Sequence, residues 1–278
     1  MFKYHTKNHK MIDHFTLMVK DIDKSLKFYQ NALGLDLVSE NNNEYNMGIE
    51  DKILFTLTTR DDVIPKVKTT GLYHFALLLP NRNELGNLLH HFLKTEQRIT
   101  GGSDHHVSEA LYLNDPDMNG IEIYADYPDS KWEFYDNEVK MVTEPMDYEN
   151  LIKSRTSDKP FKMPKETIVG HLHFHVNNLL RANNFFIDVL GFDQMLNARS
   201  AIFLSSGNYH HHIGINIWNG LNAINRPDNM AGLADYHLNV PTSELDDFVE
   251  TLKDNRLEIK EDIKGKYFLD INEVKVYF

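Results

Sequence analysis

Four short segments of the chain share one pattern, and three of them carry a histidine at the same step. Ile12–Val19 reads IDHFTLMV, Leu72–Leu79 reads LYHFALLL and Val169–Val176 reads VGHLHFHV, so His14, His74 and His171 occupy equivalent places. The fourth segment, Leu233–Val240 (LADYHLNV), puts Asp235 there. Gly120–Tyr124 (GIEIY) adds a carboxylate, Glu122, and its C-terminal counterpart Glu273–Tyr277 places Lys275 at that step. Two imidazoles and a carboxylate can hold a divalent metal on one face and leave the other face open, as non-haem Fe(II) oxygenases do. His14, His74 and Glu122 complete such a set in the first half, so the sequence predicts a metal centre there and a degenerate copy in the second half.

Each of these residues lies between apolar neighbours: Phe15 and Leu17 follow His14, Phe75 and Leu77 follow His74, and Ile121 and Ile123 flank Glu122. Alternation along a strand turns each polar group away from its immediate neighbours. A carboxylate buried between two isoleucines is costly unless paired, and a metal is a sufficient partner. His210, His211 and His212 form the densest histidine run, but consecutive residues of an extended chain point to opposite sides, so three of them rarely share one ion. Hydrogen bonding with Asn208, Tyr209 or Asn216 is the expected use of that run.

The elements that position these residues repeat. Asp21–Leu33 puts Ile22, Leu26, Tyr29 and Leu33 on one helical face, with Asp21 or Asp23 as N-cap and Gly34 as stop. Asn178–Leu190 followed by Gly191 repeats this, and His14 to His171 spans the same 157 residues as Gly34 to Gly191. Further helices are predicted over Asn83–Lys94 and Ser243–Asp254. Gly71 and Gly232 each precede a proline, Pro80 or Pro241, by nine residues. Short alternating runs such as Ile53–Thr58, Ala110–Leu113 and Ala201–Leu204 read as antiparallel strands. The chain is thus predicted to be α+β, built from four β-α-β-β-β modules in two tandem domains, 9–126 and 167–278. The Asp- and Pro-rich stretch 127–166 reads as a linker with a short helix near Tyr148–Lys153 and an aromatic cluster, Trp132, Phe134 and Tyr135, packed on a domain surface.

Composition narrows the chemistry. Lys and Arg number 29 against 41 Asp and Glu, a net charge of -12, so a phosphate backbone would be repelled and nucleic acid is not an expected partner. Cysteine is absent, so any metal must use His, Asp, Glu or water. With no apolar run approaching a spanning helix, a cytoplasmic protein without a membrane partner is expected.

Paired β-α-β-β-β modules, a histidine on the first strand and DPDMNGIEIY at a module end resemble the vicinal oxygen chelate superfamily, which includes glyoxalase I, fosfomycin-resistance proteins and extradiol dioxygenases. Two tandem pairs and GNYHHHIGINIW at Gly207–Trp218 look most like four-module catechol 2,3-dioxygenases. The resemblance implies that each pair of modules forms a cupped, half-barrel-like sheet and that His14, His74 and Glu122 converge in the first. It further implies Fe(II), a ligand set that also accepts Mn(II), Zn(II) or Ni(II), and extradiol cleavage of a catechol- or hydroquinone-type aromatic by O2, a step in aromatic catabolism. Self-association is left open. Tyr112, ten residues before Glu122, would then hydrogen-bond a catecholate oxygen, and His105 or His106 would move protons. In that family a histidine of the third module serves as acid/base beside a second-domain metal; Asp235 and Lys275 leave such a site incomplete here. Two other readings share the fold: a glyoxalase-like isomerase or transferase, which takes a fourth protein ligand that the strand near Leu54–Thr59 lacks, and a metal-free protein that sequesters a small aromatic.

Overall fold

The computed structural model describes residues 2–278. The first module runs β1 (Met11–Met18), α1 (Ile22–Leu33), β2 (Asp36–Asn41), β3 (Glu44–Ile49) and β4 (Lys52–Thr58). Asp21 caps α1 by accepting from Lys24 N–H, and Gly34 ends it with φ 63°, a left-handed turn that glycine adopts without steric cost. The second module follows as β5 (Gly71–Leu78), α2 (Arg82–Thr95), β6 (Gly101–Asp104), β7 (Ser108–Asn114) and β8 (Gly120–Asp126).

The connecting stretch is more structured than a plain linker. It forms β9 (Phe134–Tyr135), β10 (Glu138–Val139), β11 (Glu144–Pro145) and the short helix α3 (Tyr148–Lys153), and β11 adds to the edge of β6. Trp132 is buried against Val107 and Tyr209, as an aromatic packed on a domain surface should be, whereas Phe134 and Tyr135 are exposed.

The third module comprises β12 (Ile168–His175), α4 (Leu179–Asn184) continued by a π-helical turn at Phe185–Val189, β13 (Asp193–Asn197), β14 (Ala201–Ser205) and β15 (Ile213–Asn216). The fourth comprises β16 (Gly232–Asn239), a 3-10 turn and α5 (Leu245–Asp254), β17 (Lys260–Asp262), β18 (Gly265–Leu269) and β19 (Lys275–Tyr277). The module repeat extends to turn chemistry. Asp115 accepts from the backbone N–H groups of Asp117 and Asn119 and from the Tyr29 hydroxyl. Asp270 does the same with Asn272, Val274 and Tyr236.

The α+β class and the paired modules agree with the sequence, but the pairing crosses the boundary between the two halves. One sheet of eight strands has the order β17-β18-β19-β16-β1-β4-β3-β2, joining the first and fourth modules. The other, of nine strands, runs β11-β6-β7-β8-β5-β12-β15-β14-β13 and joins the second and third. The expected tandem units 9–126 and 167–278 therefore each give one module to each sheet. The apolar faces of both sheets share one core, in which Phe15 lies 4.8 Å from Phe75 and Phe174 lies 5.6 Å from Tyr236, ring centre to ring centre.

Candidate metal centre

The pleat of the nine-stranded sheet sorts the residues of β5, β8 and β12 onto two faces. Phe75, Leu77, Ile121, Ile123, Leu172 and Phe174 enter the core, so His74, Glu122, His171 and His173 must share the opposite face. Strand pairing then sets the neighbours. β5 and β12 are antiparallel, with His74 opposite His173 and Ala76 opposite His171. β8 is parallel to β5, with Glu122 beside Ala76. The small Ala76 side chain thus lies between Glu122 on one neighbouring strand and His171 on the other.

The result is a compact three-residue cluster. His74 Nε2 stands 3.0 Å from Glu122 Oε2, His171 Nε2 stands 3.3 Å from the same oxygen, and the two imidazole nitrogens are 3.3 Å apart. All three side chains are buried. Burial would raise the Glu122 carboxyl, but the adjacent His171 and His74 rings override it and hold it well below the usual carboxylate range. Burial pushes His171 down to about 4, so its ring is neutral near pH 7 and offers a lone pair. Mutually perpendicular ligands with bonds of about 2.1 Å stand about 3.0 Å apart, so the three atoms suit one face of a divalent ion. His171 Nδ1 is buried with no hydrogen-bond partner among the described residues, so the other nitrogen makes the ring's polar contacts.

His14, expected as a ligand, is not part of this cluster. It lies on β1 in the eight-stranded sheet and its Nε2 bonds Thr56 Oγ1 at 3.1 Å. The reason is strand pairing: β1 is bordered by β4 and β16, so the neighbours of His14 come from the first and fourth modules. Asp235 there accepts from the Thr16 hydroxyl at 2.7 Å and pairs with Lys264 at 3.2 Å. The ladders also revise the counterpart of Glu122 in the last module. Lys275 is opposite Asp235, while Tyr277 is opposite His237, two residues on from Asp235 just as Ala76 is two on from His74. Tyr277 takes the step of Glu122, Thr56 takes it in the first module and Gly214 in the third.

The glycine at that third position has two effects. No fourth side chain reaches the cluster from β15, and the ring of His173 occupies the space, where a Cβ on Gly214 would come within 2.7 Å of it. Asn216 Nδ2 donates to His173 Nε2 at 3.0 Å and fixes that ring.

The cluster opens onto a cavity of about 630 Å³ whose walls include Tyr73, Phe203, Trp218 and Leu196. Tyr112 and His105 also line it, as expected of substrate-facing groups. Tyr112 sits opposite Glu122 in the β7–β8 ladder. His105 Nδ1–H donates to the Val142 carbonyl at 2.6 Å, leaving Nε2 to accept from the Tyr112 hydroxyl at 2.7 Å. Burial, with the Glu122 charge nearby, raises the Tyr112 phenol well above its ordinary value, so it stays a hydrogen-bond donor. His106 is elsewhere: its backbone is left-handed at φ 63° and its exposed ring pairs with Glu144 at 3.2 Å.

The histidine run lies between β14 and β15 and not within a strand, and its three rings go to different surroundings. His212 bonds Ser205 and the Tyr4 carbonyl, His210 turns to Asp126, and His211 lines the cavity with its ring centre 4.1 Å from that of His171. The sequence repeat marked His171 as equivalent to His14 and His74 without showing which two would meet. The polar faces carried the missing signal: β12 presents His171, His173 and His175 on alternate positions, whereas β1 presents His14, Thr16 and Met18. His173 and His211 were missed because contacts distant along the chain place them at the cavity: His173 lies beside His74 and Tyr73, and His211 lies against His171 and Phe203.

Residues 11–123 match the model of the Glyoxalase/Bleomycin resistance protein/Dioxygenase superfamily. A catechol-2,3-dioxygenase of Bacillus subtilis strain 168 is 38% identical over 272 residues, covering 92% of this chain and 95% of that protein. Among solved structures, a dioxygenase candidate from Bacillus subtilis subsp. subtilis str. 168 superposes with a TM-score of 0.66 at 14% identity, covering 98% of this chain and 85% of that one. Glyoxalase I from Zea mays gives 0.56 at 17%, covering 96% and 91%. The structural likenesses establish the fold, and the sequence relationship over nearly the full length establishes that the chain belongs to the glyoxalase/bleomycin resistance/dioxygenase superfamily as an extradiol dioxygenase-like enzyme.

Proposed function

We propose that the chain is an Fe(II)-dependent extradiol dioxygenase that cleaves a catechol- or hydroquinone-type aromatic with O2. The observation that carries this reading is the three-ligand face of His74, Glu122 and His171 at an aromatic-walled cavity, with Gly214 where a fourth ligand would stand. When bound, Fe(II) supplies electron transfer between a chelated aromatic diol and O2, which Zn(II) cannot do. His74, His171 and Glu122 would hold the ion. Tyr73, Phe203 and Trp218 would flank the substrate ring and exclude water. His211, on the third-module side, would take a proton from a substrate hydroxyl, and Tyr112, on the other, would donate a hydrogen bond to a substrate oxygen. The net charge of -12 disfavours an anion at the entrance, so the aromatic would enter protonated and lose its proton inside. A glyoxalase-type reading lacks its fourth ligand.

Anaerobic loading with Fe(II), followed by a panel of catechols and hydroquinones and then air, tests this. Oxygen uptake and a yellow ring-opened product are expected with Fe(II) and absent with Zn(II). Verified Fe(II) binding with no oxygen uptake across the panel would contradict it.

A further inference from the structure

We propose that Asp126 and His210 are positioning residues that hold His211 as its Nδ1–H tautomer, with the Nε2 lone pair directed to the cavity. This rests on the reading of His211 as the cavity's proton acceptor, but the geometry behind it is independent of any substrate.

Hydrogen counting gives the assignment. Asp126 Oδ1 lies 2.9 Å from His210 Nε2, and an ionised carboxylate only accepts, so Nε2 of His210 carries the hydrogen. If the fully buried His210 ring is neutral, its one N–H is spent on Asp126 and Nδ1 is left as an acceptor. His210 Nδ1 lies 2.8 Å from His211 Nδ1, a separation that requires one hydrogen between them. On that count the bridging hydrogen belongs to His211 and its Nε2 is unprotonated, whereas a doubly protonated His210 would reverse the assignment, which ring 15N spectra also read.

The surroundings make this arrangement rigid. His210 is fully buried, its ring centre 3.9 Å from that of Tyr209 and 5.3 Å from that of Trp132. Asp126 also accepts from the Tyr209 hydroxyl at 3.1 Å, and with that hydrogen committed Tyr209 accepts in turn from Tyr124 at 2.8 Å. Asp126 keeps a side chain about one-fifth exposed, so its charge remains hydrated while the two imidazoles do not. The logic is that of the serine-protease triad, where a carboxylate fixes a histidine tautomer, extended here by a second imidazole. The adjacency of His210 and His211 builds it, since their Nδ1 atoms meet while His210 Nε2 reaches Asp126 and the His211 ring borders the cavity.

Ring 15N spectra of the full-length protein, with and without Zn(II), read the tautomer directly, His211 being assigned by its loss in His211→Asn. The expected result is a pyrrole-type Nδ1 and a pyridine-type Nε2 for His211. In His210→Phe, where no acceptor faces Nδ1, and in Asp126→Ala, where His210 is free to reverse, the Nε2–H form should become populated. His210→Asn keeps an acceptor oxygen near the place of Nδ1 and should restore the wild-type pattern. With Fe(II), His210→Phe should lower kcat about 10- to 100-fold at nearly constant KM and metal content, and His210→Asn should recover most of it. A wild-type His211 protonated on Nε2, or a tautomer unchanged in both His210→Phe and Asp126→Ala, overturns the proposal. The wild-type spectrum decides even if a variant fails to fold. Absence of ring cleavage together with the expected tautomer would instead overturn the functional reading alone.

Discussion

Tyr112 and His211 come from different modules and both line the cavity, so under the proposed function proton chemistry would be divided between a donor and an acceptor. Tyr112 remains a phenol because burial and the Glu122 charge oppose its ionisation, and its hydrogen now rests on His105 Nε2. His105 is anchored independently of Tyr112 through the Val142 carbonyl. Tyr112→Phe removes only the hydroxyl that bonds His105 Nε2 and keeps the buried ring. Metal content and thermal stability should be nearly unchanged, and turnover should fall roughly 10- to 1000-fold. Normal turnover in this variant would make Tyr112 a packing residue. The role proposed for Tyr112 comes from its spacing to Glu122 by resemblance. That His105 and not His106 accompanies it was not, because a left-handed turn at His106 decides which ring faces inward.

Strand β15 shows how an element shapes the site by omission. Its Gly214 stands where β8 carries Glu122, and the His173 ring lies over it. Gly214→Ala would push a methyl group against His173 and, through the 4.9 Å ring contact, against His74. Such overpacking typically costs about 1–3 kcal/mol, so the denaturation midpoint should fall and turnover with it. Unchanged stability and activity would show that the ring has room to move. Helices α1 and α4 were readable from apolar spacing, caps and glycine stops, α2 and α5 from the module repeat, and the strands from alternation. The strands β9, β10 and β11 in the connecting stretch were not, since two-residue strands leave no periodic signal.

At the scale of the molecule, duplication was visible in the repeat, but the partners of each module were not. Either pairing satisfies the same hydrophobic patterns, because β1, β5, β12 and β16 all present one apolar and one polar face. What differs is the content of the polar faces: one sheet brings together His74, Glu122 and His171, the other His14, Asp235 and Lys264, where an ion pair and the Thr16 hydroxyl take the place of a ligand set. The central claim is therefore a metal centre assembled from the second and third modules. Metal content after loading and desalting, compared across His14→Ala, His74→Ala, Glu122→Ala and His171→Ala with folding checked by circular dichroism, tests it directly. His14→Ala should retain one metal per chain and the other three should lose it. Retention in His171→Ala together with loss in His14→Ala would contradict the claim and place the site within the first half of the chain.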